Sequence, residues 1–371
     1  MTKEIPGGCD SRTMEATLTE ALLGDLPIAP PDDGAARRAR DRWNAVAKPI
    51  GSLGVFEDAV VSIAALTGSE DVDLSPRCVV VLCSDNGVVA EGVSQSDADV
   101  TAIVARNVAR GASSLNRLCE PVHVDCVCVD MGMLSPLDEP GMIDRRIAAG
   151  TADIARGPAM TRAQALQAIG VGIDLVGMLS GKGYRLIGTG EVGIGNTTTA
   201  TALACAFTGM GPERLAGRGA GLTDEGLSRK VRAIRRALEV NAPDAHDPLG
   251  VLASLGGFDI AGMCGMFLGG ALHRVPIVAD GVISTVAAYC AYLLRPECRQ
   301  AILASHRSTE PAASELLRLL DLHPPIDAGM HLGEGTGAAC LMPLLDMALS
   351  LYGTGTTFAD CGMEPYEVRS R

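Results

Sequence analysis

The 371-residue sequence is poor in aromatic side chains, in net positive charge and in long hydrophobic runs. Aromatic residues make up only 3% of a chain that is 47% hydrophobic, so an aliphatic core is expected. The net charge of −13 excludes a general nucleic-acid-binding protein, because such proteins need a basic surface to neutralise phosphates. The longest uncharged apolar run, residues 281–294, is too short to span a bilayer, and no signal-peptide pattern opens the sequence. We therefore expect a cytoplasmic protein with no nucleic-acid and no membrane partner.

Cysteine and histidine lack the spacing of a metal site. The twelve cysteines include no C-x-x-C pair, and none of the six histidines stands in an H-x-x-x-H pattern. Buried small hydrophobic side chains are the ordinary role of such scattered cysteines. We predict no metal and no cofactor.

Strands and helices alternate through the middle of the chain. The runs that predict strands include CVVVLC at 78–83, with others at 122–129, 184–187, 275–279 and 301–305. This alternation predicts an α/β fold with a parallel, doubly wound sheet, whose ligands bind at the carboxyl ends of the strands. The two ends of the chain lack strand patterns. We expect residues 75–330 to form a large domain and residues 1–74 and 331–371 to pair as a small helical domain.

The segment LIGTGEVGIGNTTTATAL (186–203) predicts an anion site. Gly188, Gly190 and Gly193 are expected to form a tight turn between a strand and a helix, with Asn196 or Thr197 as the helix N-cap. The free N–H groups and the dipole of such a helix start attract negative charge. Glu191 lies inside this turn, which indicates a task for its carboxylate, either with a ribose hydroxyl or with a proton.

The same glycines also match the dinucleotide fingerprint, which would indicate an NAD-dependent oxidoreductase. The full fingerprint requires an acidic residue at the end of a second strand, roughly 20 positions further on. Residues 209–221 (GMGPERLAGRGAG) form a glycine-rich loop there instead. A mononucleotide phosphate site is favoured, and a non-catalytic mononucleotide-binding protein is a further alternative.

A second glutamate between glycines, Glu334, stands in LGEGTGAA (332–339), ahead of a helix predicted over 341–351. Its ordinary interpretation is a helix-start carboxylate, which gains about 0.3–1 kcal/mol from the helix dipole. The glycines on both sides favour a carboxylate held where a planar ligand approaches the backbone.

Nine motifs between about residue 40 and residue 352 resemble, in order, the nicotinate-nucleotide:dimethylbenzimidazole phosphoribosyltransferases. They are KPIGSLG (48–54), SDNGVVAEGVS (84–94), GTADIARGPAMT (150–161), GEVGIGNTTTATAL (190–203), GRGAGL (217–222), GGFDIAGM (256–263), ADGVIST (279–285), SHRSTEP (305–311) and LGEGTGAA (332–339). The resemblance implies a Rossmann-like α/β/α domain of three layers, a small helical domain built from both chain ends, and a homodimer.

The reaction implied by the resemblance belongs to cobalamin biosynthesis. A ring nitrogen of the acceptor base attacks C1′ of nicotinate mononucleotide, and nicotinate leaves. The leaving pyridinium nitrogen already carries positive charge, so no metal-bound pyrophosphate is needed. By resemblance, Glu334 is the general base that takes the azole N–H proton, and Glu191 is a second catalytic acid near the sugar.

The resemblance also implies binding residues. Those for the donor nucleotide and its phosphate are Gly193, Gly195, Asn196, Thr197, Gly217, Gly219, Lys230, and Ser305 or Arg307. Those around the acceptor base are Asp85, Ser94 and Leu332. For Lys230, a solvated helix lysine is the ordinary alternative.

The sequence departs from the family beside the acceptor. Many members follow GVS with an aromatic residue and a proline, where this chain has Gln95-Ser96-Asp97. Asn86 replaces a histidine that is common in the family. The acceptor therefore stays open between 5,6-dimethylbenzimidazole, another benzimidazole, a purine and a phenol.

Overall fold

The structure is a computed structural model that describes residues 17–366. These residues contain six strands: β1 (Arg77–Ser84), β2 (Asp125–Gly132), β3 (Met142–Asp144), β4 (Leu186–Val192), β5 (Ile277–Ala279) and β6 (Ile302–Ala304). All paired strands are parallel, and the sheet order is β3-β2-β1-β4-β5-β6. The order reverses between β1 and β4, which is the arrangement of a doubly wound sheet, so the predicted fold class is confirmed.

Fourteen α-helices within the described residues surround the sheet. They are α1 (Glu20–Gly24), α2 (Asp33–Ala45), α3 (Val55–Thr67), α4 (Asp99–Ala109), α5 (Ser114–Cys119), α6 (Arg162–Gly181), α7 (Asn196–Thr208), α8 (Pro212–Leu215), α9 (Asp224–Asn241), α10 (Pro248–Leu255), α11 (Phe258–His273), α12 (Val282–Leu294), α13 (Pro311–Leu319) and α14 (Thr336–Thr354). Local sequence explains some boundaries. At α6, Thr161 and Gln164 form a reciprocal capping box.

The helices form a layer on each face of the sheet. Every residue of β1 is buried, and alternate residues point to opposite faces. Val80 and Leu82 belong to a core shared with α6, α7 and α9–α13. Val79 and Val81 belong to a second core, shared with α3, α4, α5 and α14. The continuous apolar run of β1 is therefore the consequence of burial on both faces.

Helices from both parts of the chain that flank the sheet pack against each other. The rings of Trp43 in α2 and Tyr352 in α14 lie 5.0 Å apart, and Val60 of α3 joins their cluster. The same helix α14 also contributes Ala338 and Met342 to the core of the sheet. The division into domains at residues 75 and 330 stays a prediction. Residues 1–16 and 367–371, which it includes, lie outside the described part of the chain.

Two helices, α6 and α14, are long and apolar enough to cross a membrane, judged by their length and composition alone. Both helices contain charged residues, so neither is an uncharged apolar run in the sequence. Core helices pass the same test, and α6 packs directly on α11. A Cβ on Gly172 of α6 would overlap the carbonyl oxygen of Gly262, so the two backbones are in contact.

The glycine-rich segment after residue 186 differs from its prediction. Strand β4 continues to Val192, so Gly188 and Gly190 lie inside the strand and not in a turn. A Cβ on Gly188 would lie 2.8 Å from the Cβ of Ala338. These glycines are required because α14 packs closely on the strand, and not because the backbone turns.

The turn itself comes later, between β4 and α7. Gly195 has a φ of 92° and is the N-cap of α7, with no side-chain hydrogen bond at the cap. The predicted N-caps, Asn196 and Thr197, are the first two residues of the helix instead. The bare helix start is therefore present, and its N-cap lies two residues after Gly193, the last glycine of the predicted turn.

Candidate active site

A cavity of about 300 Å³ lies at the carboxyl ends of β4 and β5, beside the point where the sheet order reverses. Ligands bind at this position in doubly wound sheets. Seven of the predicted site residues line it: Glu191, Gly193, Asn196, Thr197, Gly219, Leu332 and Glu334. The fold thus brings together segments that lie more than a hundred residues apart in the chain.

Glu334 has the environment expected of a general base. Its φ of 61° is left-handed, and it lies between Gly333 and Gly335, whose φ angles are also positive. Such a conformation is uncommon for a residue with a side chain and is found at functional sites. Burial raises the pKa of Glu334, and its Oε2 atom has no hydrogen-bond partner among the described residues. A raised pKa makes this carboxylate a stronger proton acceptor, as a general base requires.

Glu191 lies against the backbone that carries Glu334. A Cβ on Gly333 would lie 2.7 Å from Glu191 Oε1. The side-chain amide of Asn196 donates one hydrogen bond to Glu191 Oε2 and another, of 3.0 Å, to Asp259 Oδ2. Burial raises the pKa of Glu191 well above its usual range and that of Asp259 to about 6. Burial therefore makes Glu191 a weaker acid than an ordinary glutamate, beside the site proposed for the sugar.

Asp280, at the end of β5, holds the start of α14. Its carboxylate accepts the N–H groups of Gly335 at 3.0 Å and Gly337 at 2.6 Å, and also that of Ala338. It is buried, and burial raises its pKa to about 7. Asp280 thereby fixes the backbone next to Glu334. The sequence analysis assigned no role to Asp280 or Asp259, although each stands in one of the nine motifs.

Lys230 is a residue of α9 whose side chain reaches the start of α7. Its ammonium group is buried and donates to Thr197 Oγ1 and to the carbonyl oxygen of Gly217, both at 3.0 Å. Burial lowers its pKa to about 8, and the negative charge of Glu310 opposes this shift. Burial excludes the alternative of a solvated helix lysine.

Glu310 is a site residue that the sequence analysis missed. Its Oε1 atom accepts the N–H of Gly219 at 2.9 Å, and a Cβ on Gly217 would overlap its Oε2 atom. It lines the cavity together with Ser308. Its position inside the motif SHRSTEP was the available signal.

Neither residue predicted as an alternative at the phosphate, Ser305 or Arg307, lines the cavity. The Ser305 hydroxyl is buried behind it and donates to the carbonyl oxygen of Ala279 at 2.8 Å. The Arg307 side chain is 58% exposed and lies 3.9 Å from Asp327. The neighbouring His306 and Ser308 line the cavity instead, because successive residues of this extended segment point in opposite directions.

The predicted acceptor residues lie in different places. Leu332 is at the mouth of the cavity and is 55% exposed. Ser94 lines a smaller cavity of about 80 Å³, together with Gly193, Gly195 and Gly219. Asp85 is buried and accepts the N–H of Leu134 at 2.7 Å. It lines neither cavity, so the structure gives Asp85 a role in holding a loop.

The fold and the site are those of an α/β protein with a candidate anion-binding site at the carboxyl edge of its sheet. Residues 28–363 match the model of a phosphoribosyltransferase family, DBI_PRT, and the chain belongs to that family. This confirms the resemblance seen in the nine motifs and supports it over an NAD-dependent oxidoreductase. Within residues 17–366, no group of three or more potential ligands is arranged to hold a metal ion.

Several relatives agree in name. The nicotinate-nucleotide–dimethylbenzimidazole phosphoribosyltransferase of Acetivibrio thermocellus is 43% identical over 345 residues, which cover 93% of this chain and 97% of the relative. The enzyme of the same name from Geobacter metallireducens is 41% identical, with coverage of 94% and 98%. The crystal structure of CobT from Thermus thermophilus matches with a TM-score of 0.84 and 37% identity, over 89% of this chain and 99% of that chain.

Proposed function

We propose that this chain transfers the 5-phosphoribosyl group of nicotinate mononucleotide to a lower-ligand base, with 5,6-dimethylbenzimidazole as the reference acceptor. One observation carries the proposal. A single cavity is lined by Glu334, which has a free carboxylate oxygen, and by the bare start of α7, where Thr197 accepts a hydrogen bond from the buried Lys230 of α9. The names of the relatives support the same activity.

The chemistry needs one base and one charged leaving group. The acceptor ring nitrogen forms a bond to C1′ as the bond from C1′ to the nicotinate nitrogen breaks. The electron pair of the broken bond neutralises the pyridinium nitrogen. Glu334 takes the N–H proton of the acceptor, which its raised pKa favours.

The donor is held by its phosphate and its sugar. The phosphate lies at the start of α7, beside Gly193, Gly195 and Thr197, and near Lys230. From the SHRSTEP motif, the hydroxyl of Ser308 is the group close to the phosphate, in place of Ser305 or Arg307. The carboxyl of Glu191, which accepts a hydrogen bond from Asn196 and whose pKa is raised by burial, is the group that contacts a ribose hydroxyl.

The acceptor lies between Glu334 and a wall built from α4 and the preceding loop. Ser96, Val100 and Val104 line the cavity from this wall, and Leu332 lines it from the loop that carries Glu334. The wall is aliphatic and polar, with no aromatic side chain among these residues. Another benzimidazole, a purine or a phenol therefore stays an alternative acceptor.

We also propose a homodimer in the cytoplasm. On α14, Met347 is 62% exposed and Leu351 is 36% exposed, which supports an apolar contact surface on this helix. Size-exclusion chromatography with light scattering tests the assembly. A monomer at micromolar concentration would contradict it.

The activity is tested by incubating the full chain with nicotinate mononucleotide and 5,6-dimethylbenzimidazole, followed by mass spectrometry. Formation of α-ribazole phosphate and nicotinate in equal amounts supports the proposal. Donor binding without any product, for each of the four acceptor classes, would instead indicate a non-catalytic mononucleotide-binding protein.

A further inference from the structure

The carboxylate of Glu310 occupies an anion site. The glycine loop, residues 217–221, presents the N–H of Gly219 to Glu310 Oε1 at 2.9 Å. The buried Lys230 donates to the carbonyl oxygen of Gly217 in the same loop. A backbone N–H on a glycine turn, with a buried cation beside it, is the combination of donors that binds phosphate in proteins.

Glu310 also lies between two neighbouring cavities and lines both of them. It lines the 300 Å³ cavity of the active site and a neighbouring cavity of about 640 Å³, whose walls include Arg218 and Thr309. Gly219, Ala220 and His331 line both cavities as well. The Glu310 side chain can therefore rotate away from Gly219 into the 640 Å³ cavity.

We propose that Glu310 is a specificity-determining residue that competes with the phosphate of the donor for the glycine loop. The inference rests on the proposed function, in which that phosphate binds beside Lys230. When the donor binds, the Glu310 carboxylate leaves the N–H of Gly219 and turns into the neighbouring cavity. A phosphate oxygen then accepts that N–H.

The exchange selects for phosphate. A ligand without an anionic group cannot replace the carboxylate, because the N–H of Gly219 and the charge of Lys230 would lose their partner. A carboxylate ligand only substitutes one single charge for another. A phosphate monoester carries up to two negative charges and three acceptor oxygens, so it gains more from Lys230 than Glu310 does.

The test measures binding of inorganic phosphate and of nicotinate mononucleotide by isothermal titration calorimetry, with the full chain near neutral pH. Glu310→Gln keeps an oxygen that accepts the N–H of Gly219, but it removes the competing charge. We expect both ligands to bind this variant about tenfold more tightly, because a like charge no longer faces the anion. Glu315→Gln is the matched control, because it removes the same charge from α13, where Glu315 pairs with Arg318. Its affinities should stay within about twofold of the wild type.

Unchanged or weaker binding by Glu310→Gln overturns the proposal. If thermal unfolding shows that this variant does not fold, Glu310→Asp gives the same decision, since its shorter side chain withdraws the carboxylate from Gly219 and should also tighten binding. The variant Lys230→Met distinguishes a failure of the proposed phosphate site from a failure of the proposed competition by Glu310. If Lys230→Met leaves phosphate binding unchanged, the proposed donor site is wrong. If it weakens binding while Glu310→Gln fails to tighten it, only the competition by Glu310 is wrong.

Discussion

The carbonyl oxygen of Glu334 lies directly over Gly190. A Cβ on Gly190 would come within 2.5 Å of that oxygen, which is closer than any real side chain allows. The glycine inside β4 thereby lets the strand and the loop that carries Glu334 approach each other. Glu334 can occupy its position only because residue 190 has no Cβ atom.

Replacing Gly190 with alanine should displace Glu334. We expect kcat to fall about 100-fold, because a shift of about 1 Å in a reacting group costs this much. The reference variant is Gly181→Ala at the end of α6, where a Cβ would meet no atom within 4 Å. Steady-state kinetics decide the matter. A Gly190→Ala enzyme with more than half of the wild-type kcat would show that this contact does not place the base.

Glu334→Gln should leave donor binding nearly intact and lower kcat at least 100-fold, the usual contribution of a general base. The amide keeps the shape of the side chain but cannot take a proton. Calorimetry with nicotinate mononucleotide and a turnover assay with a benzimidazole measure the two effects. If more than half of the rate survives, another group removes the proton.

The rate should fall in acid. A base acts only when it is deprotonated, and burial raises the pKa of Glu334, so kcat declines as the pH falls through this raised value. The midpoint should lie above about 4.3, the ordinary value for glutamate. A pH profile of kcat measures it. A profile that stays flat below neutral pH down to that ordinary value would contradict the assignment.

Donor binding should weaken in alkali. The pKa of Lys230 is lowered by burial to about 8, so its positive charge is lost as the pH rises through that value. The KM for nicotinate mononucleotide should therefore increase above about pH 8, and Lys230→Met should raise it at least about tenfold at neutral pH and abolish the pH effect. Arg307→Ala is the comparison, because its exposed side chain lies outside the cavity. An equal loss in both variants would return Arg307 to the phosphate site.

Acceptor selectivity should be broad. Ser96 lines the cavity in the loop where many family members carry an aromatic residue and a proline, and Gln95 donates to the carbonyl oxygen of Gly221. Loss of aromatic contact costs about 1–3 kcal/mol of discrimination. We expect kcat/KM for 5,6-dimethylbenzimidazole to exceed that for benzimidazole or adenine by less than about 100-fold. A preference above about a thousandfold would show that other residues control selectivity.

The sequence predicts most of the sheet because its strands are long apolar runs. Strand β1 extends only one residue beyond each end of its predicted range. The sequence does not predict strand β3, because Met142–Asp144 is partly exposed and lies in no apolar run. Strands β5 and β6 are equally short, but each lies within a longer apolar run, at 275–279 and 301–305. Gly188 and Gly190 were placed in a turn, because a glycine that is needed for close packing looks the same in the sequence as one that is needed for a positive φ.

The site was predictable where a motif contains its own chemistry, as Glu334 does between two glycines. Contacts between distant segments were not. Asp280 caps a helix that begins 56 residues later, and Glu310 bonds to Gly219 across 91 residues. Asp280 and Glu310 meet these partners only because the strand order of the sheet brings the ends of separate strands together. Lys230 could be interpreted only after its burial was known.

Helix α14 is synthesised after all six strands, so the sheet and the proposed site are completed late in translation. It starts beside Glu334, covers one face of β1 and β4, and ends against Trp43. A ribosome produces all six strands before it produces this helix. Until residues 335–354 emerge, Val79 and Val81 lack part of their cover and Asp280 lacks the N–H groups of Gly335, Gly337 and Ala338. The nascent chain therefore gains its proposed base and closes this face of its sheet in the same late step.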